Sequence, residues 1–275
     1  KFVNNKNRFW VSGGLTYDIA KGITLSGRTK FDYTSAINEK KYSATTDAIF
    51  AQQYGAYYKA DASTRQLYGD VMLNIDKYFG DFSLAATIGA SIQDVNYRYY
   101  SVGGDLNSVA NSFTLKNLNQ ANAEFDQDGY HDQTQSIFAT AQLGWQSKLY
   151  LDVTGRVDWA SALAWTNSKN VAYPSVGLSA ILTDLFPIKN DVLTFLKVRG
   201  SYSEVGNAPT RYIAFQTYPY QSGIPTTAST YPNTDIKPER TKAWEIGLQS
   251  NFWGDKLALN VSLYKTSTYN QLFNP

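Results

Sequence analysis

Between residues 82 and 93 the chain alternates strictly. Phe82, Leu84, Ala86, Ile88, Ala90 and Ile92 fall at one parity, and Ser83, Ala85, Thr87, Gly89, Ser91 and Gln93 at the other. Successive side chains of a β-strand point to opposite faces, so this stretch reads as a strand with one apolar and one polar face. The unit recurs about five times along the chain: two alternating strands, a tight turn between them, and a long polar loop before the next pair.

The pairs are read over residues 9–17 with 23–33, 65–77 with 82–97, 133–145 with 148–161, 172–182 with 192–204, and 241–252 with 256–268. The turns carry Gly22, Gly80 with Asp81, Gln146 with Ser147, Pro187 with Asn190, and Gly254 with Asp255, residue types that suit turn geometry. Long polar loops are read over 34–64, 98–132 and 205–240, and the last holds most of the prolines, as a segment outside the ladders should.

The expected strands run about 10 to 13 residues, longer than the five or six usual in sandwiches and propellers and matched to the 9 to 11 that a tilted strand needs to cross a bilayer. Short turns at one end and long loops at the other are the pattern of an outer-membrane barrel, with the loops outside the cell. The fold expected is all-β: a transmembrane antiparallel up-and-down β-barrel, of which residues 1–275 form an incomplete segment of about ten strands.

Composition permits this and removes several alternatives. Mean hydropathy is −0.36 and no apolar run approaches the roughly 18 residues of a membrane helix, which excludes a helical membrane protein but not a barrel, whose lipid face uses every second residue. Tyr is abundant, with 21 residues, which suits both interfacial girdles and sugar-binding surfaces. The net charge of +2 is spread among mixed acids and bases, so no nucleic-acid footprint is expected. The absence of Cys removes disulfides, thiolate metal sites and Cys nucleophiles.

His131 is the single histidine, so no His-dependent triad or multi-His zinc site can be built within the chain, and it reads as an exposed loop residue. Asp126, Asp128 and Asp132 around Gly129 fail the spacing of a calcium loop and read as a turn. Asp152 and Asp158 are separated by nearly 20 Å along a strand at about 3.3 Å per residue, too far for a glycosidase pair. No catalytic residue, cofactor or metal site is expected. Arg28, Lys30, Asp32, Asp152, Arg156, Asp158, Lys197, Arg199 and Glu245 fall at the polar parity of their strands and read as lumen-facing. An unpaired ion buried in a dry core would cost several kcal/mol, whereas a wet lumen removes that cost. Tyr97, Tyr99, Tyr100, Tyr218 and Tyr220 read as loop aromatics able to stack on a sugar ring, hold a partner lid, or form a girdle.

Four segments appear in the order found in SusC/RagA-like TonB-dependent outer-membrane transporters: LYLDVTGRVDWASAL at 149–163, YPSVGLSAIL at 173–182, VRGSYSEVGN at 198–207 and NTDIKPERTKAWEIGL at 233–248. The last is the most specific, because it resembles the family's N-x-x-[IL]-K-P-E-x-T segment leading into an E-[IL]-G strand. Its Lys237-Pro238 step ends a loop, and the motif reads either as a device that sets loop-to-strand geometry or as a substrate contact. The resemblance implies a 22-stranded barrel in the outer membrane of a Gram-negative bacterium, importing oligosaccharides or peptides. It also implies a SusD-like surface lipoprotein as lid, and energy from a TonB complex acting on a plug. It covers barrel strands only, so the chain is expected to be an internal piece of a longer protein, with the plug, any export signal and the closing strand elsewhere. Two other readings stand beside it: a soluble all-β glycan-binding or glycan-degrading domain, and a non-transporting structural barrel in an envelope complex.

Overall fold

The computed structural model describes residues 1–186, 188, 191–221, 223–228 and 231–272. Pro187 and Asn190, expected in the fourth turn, lie outside the described residues. The chain forms β1 (Phe2–Ala20), β2 (Ile23–Tyr42), β3 (Ala56–Phe79), β4 (Phe82–Asp105), β5 (Glu124–Trp145), β6 (Leu149–Ala160), β7 (Val171–Ile181), a single helical turn α1 (Leu182–Leu185), β8 (Leu193–Asn207), β9 (Tyr220–Gln221), β10 (Ile224–Pro225), β11 (Glu239–Phe252) and β12 (Leu257–Tyr269). Ten of these pair in the order β1-β2-β3-β4-β5-β6-β7-β8-β11-β12, and β9 with β10 makes a separate two-stranded ribbon. Each long strand pairs with its neighbours in sequence, which is the meander that tight turns impose.

Strand number agrees with the periodicity, but strand length does not. β2 continues to Tyr42, β3 begins at Ala56, β4 continues to Asp105 and β5 begins at Glu124, so much of the stretches expected as loops at 34–64 and 98–132 is strand. At their long-loop ends these strands are polar on both faces, and the alternation that marks a strand in sequence disappears while the backbone ladder continues. His131, Asp126, Asp128 and Asp132 accordingly lie in β5 and not in a loop or turn. Tyr97, Tyr99 and Tyr100 likewise lie in β4.

Register fixes the faces across six strands. Leu143 of β5 sits opposite Leu151 of β6, which sits opposite Leu178 of β7, then Gly200, Ile246 and Leu263 on β8, β11 and β12. One residue away lies the row Gln142, Asp152, Gly177, Ser201, Glu245 and Tyr264. One face is therefore an apolar band and the other polar. Within the band Leu178, Ile246 and Leu263 are 53, 69 and 72% exposed, and a contiguous apolar surface of this kind is not left facing water.

Two compact units are distinguished, one of Lys1–Gly13, Thr29–Gly69 and Gln93–Gln133, the other of Gly14–Arg28, Asp70–Ile92 and the residues from Thr134 onward. Each has its own small core at long loops. In the first, Tyr57, Leu106 and Leu118 are buried against Tyr54, Val102 and Phe113. Asn117 organises the loop there: its amide donates to the carbonyls of Val109 and Ser112 and accepts from the N–H groups of Ser108 and Val109. In the second, Leu163, Thr166, Val171, Ala214 and Ile236 are buried.

The short turns hold left-handed backbone where the twist of the hairpin requires it. Lys148 N–H bonds Trp145 C=O at 2.9 Å, with Gln146 and Ser147 at φ 50° and 57°. Gly22 has φ 70° and a Cβ there would come 2.0 Å from the Asp76 carbonyl oxygen, whereas Gly80, at φ 57°, has open space. Gly22→Ala is thus expected to cost more than Gly80→Ala, the latter about 1 kcal/mol from backbone strain alone. Thermal unfolding of the two variants in detergent checks the order, and equal losses would show that the Asp76 contact does not matter.

Candidate functional site: the polar face of the sheet

The residues read from sequence as lumen-facing lie on the polar face, and most are held by short-range ionic or hydrogen bonds. Arg28 of β2 donates from Nε and Nη2 to the Asp70 carboxylate on β3, Nη2 at 2.8 Å. The Asp70 side chain has no exposed surface while that of Arg28 is 59% exposed, so the guanidinium covers the carboxylate. Asp32 accepts from Arg8 Nε of β1 at 2.9 Å and lies 3.3 Å from Lys30 Nζ. Arg8, one residue before the first strand read from sequence, and Asp70, within the strand read at 65–77, were missed, although both stand at the polar parity of their strands.

A second constellation joins β5 and β6. Arg156 donates from Nε to Asp158 at 2.6 Å and from Nη2 to Ser136 Oγ at 2.8 Å, and its guanidinium lies 5.8 Å from the centroid of the Phe138 ring. Phe138 in turn covers Gly89, where a Cβ would lie 2.6 Å from the ring; no larger residue fits. Asp152 accepts from Gln142 Nε2 at 2.7 Å. Thr87, Thr140, Gln142, Asp152 and Thr154 help line a shallow cavity of about 490 Å³ on this face.

On β8 and β11, Arg199 reaches Glu245 at 3.3 Å and Ser262 Oγ of β12 at 2.7 Å. Its side chain lies over Gly247, where a Cβ would come 2.6 Å from Nε. The glycine of the E-[IL]-G motif therefore makes room for the arginine that the glutamate binds. Lys197 stands on the same face opposite Ile181 and Gln249 and makes no ion pair among the described residues.

The segment before that strand ties two loops together. Asn167 of the 161–170 loop donates its backbone N–H to Thr234 C=O at 2.8 Å and its side-chain amide to Asp235, Asn233 caps Asp235 N–H at 2.9 Å, and Ile236 is buried. Trp165 and Phe215 meet at 5.7 Å between centroids across the same two loops. These contacts match the geometric reading of the N-x-x-[IL]-K-P-E-x-T segment.

The aromatic candidates separate by position. Tyr97 stacks on Tyr130 at 5.1 Å, Tyr99 is half-buried, and Tyr100 helps line a cavity of about 900 Å³ with Lys59, Leu115 and Leu118. Tyr218 and Tyr220 are 63 and 77% exposed. His131 bonds Asp94 through Nε2 at 2.6 Å, and no group of three or more potential metal ligands occurs among the described residues.

Electrostatics at the long-loop end are local. More than ten residues beyond the start of β2, Lys41 and then the Tyr57 hydroxyl hold the Glu39 carboxyl below its ordinary range. Burial, then the Glu39 bond, pushes Tyr57 up to about 12. A depressed carboxyl adds stability above its unfolded pKa that disappears as pH falls through the folded value, and a raised phenol adds stability below about pH 10 that is lost as pH rises toward 12. Protease protection of the 43–55 loop is therefore expected to be flat between pH 5 and 9 and to fall on both sides in wild type. Tyr57→Phe should lose the alkaline limb.

Magnitudes also separate the ion pairs. Arg28→Met uncovers a carboxylate without exposed surface and is expected to cost about 3 kcal/mol. Arg199→Met breaks a pair in which both partners are about 40% exposed and should cost under about 1 kcal/mol. Thermal unfolding of the full-length protein in detergent distinguishes the two, and a reversed order would refute the burial argument.

Comparison with known proteins agrees with this arrangement. Residues 2–275 match the family described as TonB dependent receptor-like, beta-barrel. TonB-dependent receptor P3 of Formosa agariphila is 23% identical over 269 residues, covering 94% of this chain and 26% of that protein. Among solved structures the RagAB peptide transporter superposes with a TM-score of 0.84 at 19% identity, over 98% of this chain and 30% of that one. The siderophore receptor PiuA of Acinetobacter baumannii gives 0.57 at 12% identity, over 95 and 40%. The chain thus spans under a third of the first two relatives, whose likeness bears on the fold. With its apolar band, its ion-paired polar face and a family match from end to end, the chain belongs to the TonB-dependent receptor β-barrel family and is an outer-membrane protein.

Proposed function

We propose that this chain is part of the wall of a SusC/RagA-like importer, with the apolar band against lipid and the polar face lining the lumen of a 22-stranded barrel. The observation that carries the reading is the pair of adjacent register rows, Leu143 to Leu263 and Gln142 to Tyr264, which present different solvents to the two faces of one ladder. In this reading the cargo is a large nutrient, an oligosaccharide or a peptide; the peptide case is supported by the likeness to RagAB, described as a peptide transporter. A SusD-like surface lipoprotein would close the long-loop end, and a TonB complex would act through a plug elsewhere in the full-length protein. The chain itself contributes wall and outer loops and no catalysis.

The ion-paired polar face suits passage rather than capture. Arg28, Arg156 and Arg199 have carboxylate partners among the wall residues and Asp32 has Arg8 and Lys30, so a passing solute meets mostly neutralised pairs and amide or hydroxyl groups, with Lys197 the exception. Tyr100, Tyr218 and Tyr220, exposed toward the long-loop end, supply ring faces for a cargo or a lid.

Ile246 and Glu245 are neighbours on opposite faces at the middle of β11, which makes a sharp test. Ile246→Arg in the full-length protein is expected to lower barrel stability by about 1 to 3 kcal/mol, between the costs of an arginine at the interface and at the lipid midplane, while Glu245→Gln changes it by less than about 1 kcal/mol. Equal effects would sink the assignment of faces. For function, deletion of the full-length gene should abolish growth on one oligosaccharide or peptide source. A deletion that leaves all such uptake intact would support a non-transporting structural barrel.

A further inference from the structure

In the first compact unit the stretch 106–123, between β4 and β5, is folded back and held although no long strand runs through it. Leu106 pairs with Leu118 in an isolated bridge. Asn107 N–H bonds Asn117 C=O at 2.7 Å and Asn119 N–H bonds Asp105 C=O at 2.8 Å, while the Asn122 side-chain amide donates to the Asp105 carboxylate at 2.8 Å. Leu118 is buried in the cluster against which Val102 packs. A ligand meeting this loop finds a surface already ordered and loses no affinity to ordering it.

The loop and the long-loop ends of β3, β4 and β5 form the cavity of about 900 Å³, and strand parity gives its face. Tyr100 and Val102 stand at the parity of Phe82, Leu84 and Ile92 on β4, and Phe125 and Gln127 at that of Ile137 and Leu143 on β5. Tyr97 and Tyr130, both at the other parity, stack on each other, and Asp94 and His131, both at the apolar parity, share a hydrogen bond. The two strands therefore keep phase along this stretch, and the cavity lies on the side of the apolar parity, the outer flank of the wall, and not in the lumen. Tyr100 follows Ile92 by eight residues along β4, about 26 Å at 3.3 Å each, which carries the site beyond the aliphatic residues and into water.

The lining has the chemistry of a sugar site. Tyr100 and Phe125 are 50 and 78% exposed and offer two ring faces. Lys59 Nζ lies 3.7 Å from Asp61 Oδ2, which leaves Asp126 the unpaired charge of the lining among the described residues, and Gln127 adds an amide. The C–H face of a sugar ring packs on an aromatic face, and its hydroxyls exchange hydrogen bonds with carboxylate and amide groups. A polyanion would meet the uncompensated charge of Asp126, and an extended peptide docks by pairing with a strand edge, whereas this cavity lies on a sheet face.

We propose that the cavity between β3, β4, β5 and the 106–123 loop binds a neutral oligosaccharide on the outer flank of the wall, stacked on Tyr100 and Phe125 with its hydroxyls on Asp61, Asp126 and Gln127. Sugar held there is concentrated at the cell surface, outside the route of passage. The inference rests on the assignment of the apolar parity to the outer face and not on the identity of the imported cargo.

The test applies the full-length protein in detergent to a printed array of neutral, sulfated and uronic-acid oligosaccharides, and titrates the best-retained neutral glycan by calorimetry. Wild type is expected to retain neutral glycans over acidic ones. Tyr100→Ala with Phe125→Ala should weaken the titrated sugar roughly tenfold, and Phe125→Ala alone roughly threefold, through lost stacking. Phe125→Trp, which keeps a ring face, should bind as wild type, and so should Tyr130→Ala on the opposite face. The single Phe125 variants keep the test open should the double variant misfold, since that ring is mostly exposed. An array on which no neutral glycan is retained, or on which sulfated or uronic-acid glycans are preferred, would overturn the proposal. Binding lost in Tyr130→Ala and intact in the Tyr100 and Phe125 variants would place the sugar in the lumen, which refutes the flank site and leaves the importer reading standing.

Discussion

A backbone that crosses hydrocarbon must satisfy every N–H and C=O within the protein, and from β2 to β11 the inter-strand ladder on both sides of each long strand does so. Once each strand is committed to pair on both sides, side chains alternate between two media and nothing else about the wall can vary independently. The rows at Leu143 to Leu263 and Gln142 to Tyr264 are the direct expression of this. A slip of one residue at any strand would exchange the two faces, placing Glu245 where Ile246 now sits.

The polar face solves a secondary problem, that of carrying charge on a wall without leaving it unpaired. It does so through cross-strand bonds to small or absent side chains. Arg199 lies across Gly247 to reach Glu245 and Ser262, and Phe138 lies across Gly89 beneath Arg156. Glycine at these two places is a matter of space rather than of backbone conformation, since neither has a left-handed φ. The same logic at the edge of the apolar band gives Glu204 its three partners, Arg240, Tyr202 and Tyr269.

The long-loop end follows different rules from the wall. There, the apolar cluster of Tyr57, Leu106 and Leu118, and buried residues such as Leu163, Val171 and Ile236, pin loops that would otherwise cost entropy to hold. Asn117 and Asn167 complete them by satisfying loop backbone groups that no ladder reaches.

Sequence alone determined the number of long strands, the order of hairpins, the short turns at Gly22, Gly80, Gln146 and Gly254, and the parity of wall residues such as Arg28, Arg156, Arg199 and Glu245, because period-two alternation between two solvents is written directly in side-chain type. It carried the family as well, through four ordered segments. It underestimated β2 to β5, whose long-loop ends carry polar residues at both parities, so that alternation gives no signal. The stretch containing Tyr99, Tyr100 and His131 was therefore read as loop. Only the tertiary structure decided which residues meet: that Arg28 covers Asp70, that Gly247 exists for Arg199, that Asn167 grips the segment at Thr234 and Asp235, and that Glu204 joins residues 36 and 65 positions away. Those contacts depend on register between strands distant in the chain, and register is a property of pairing, which no single strand encodes.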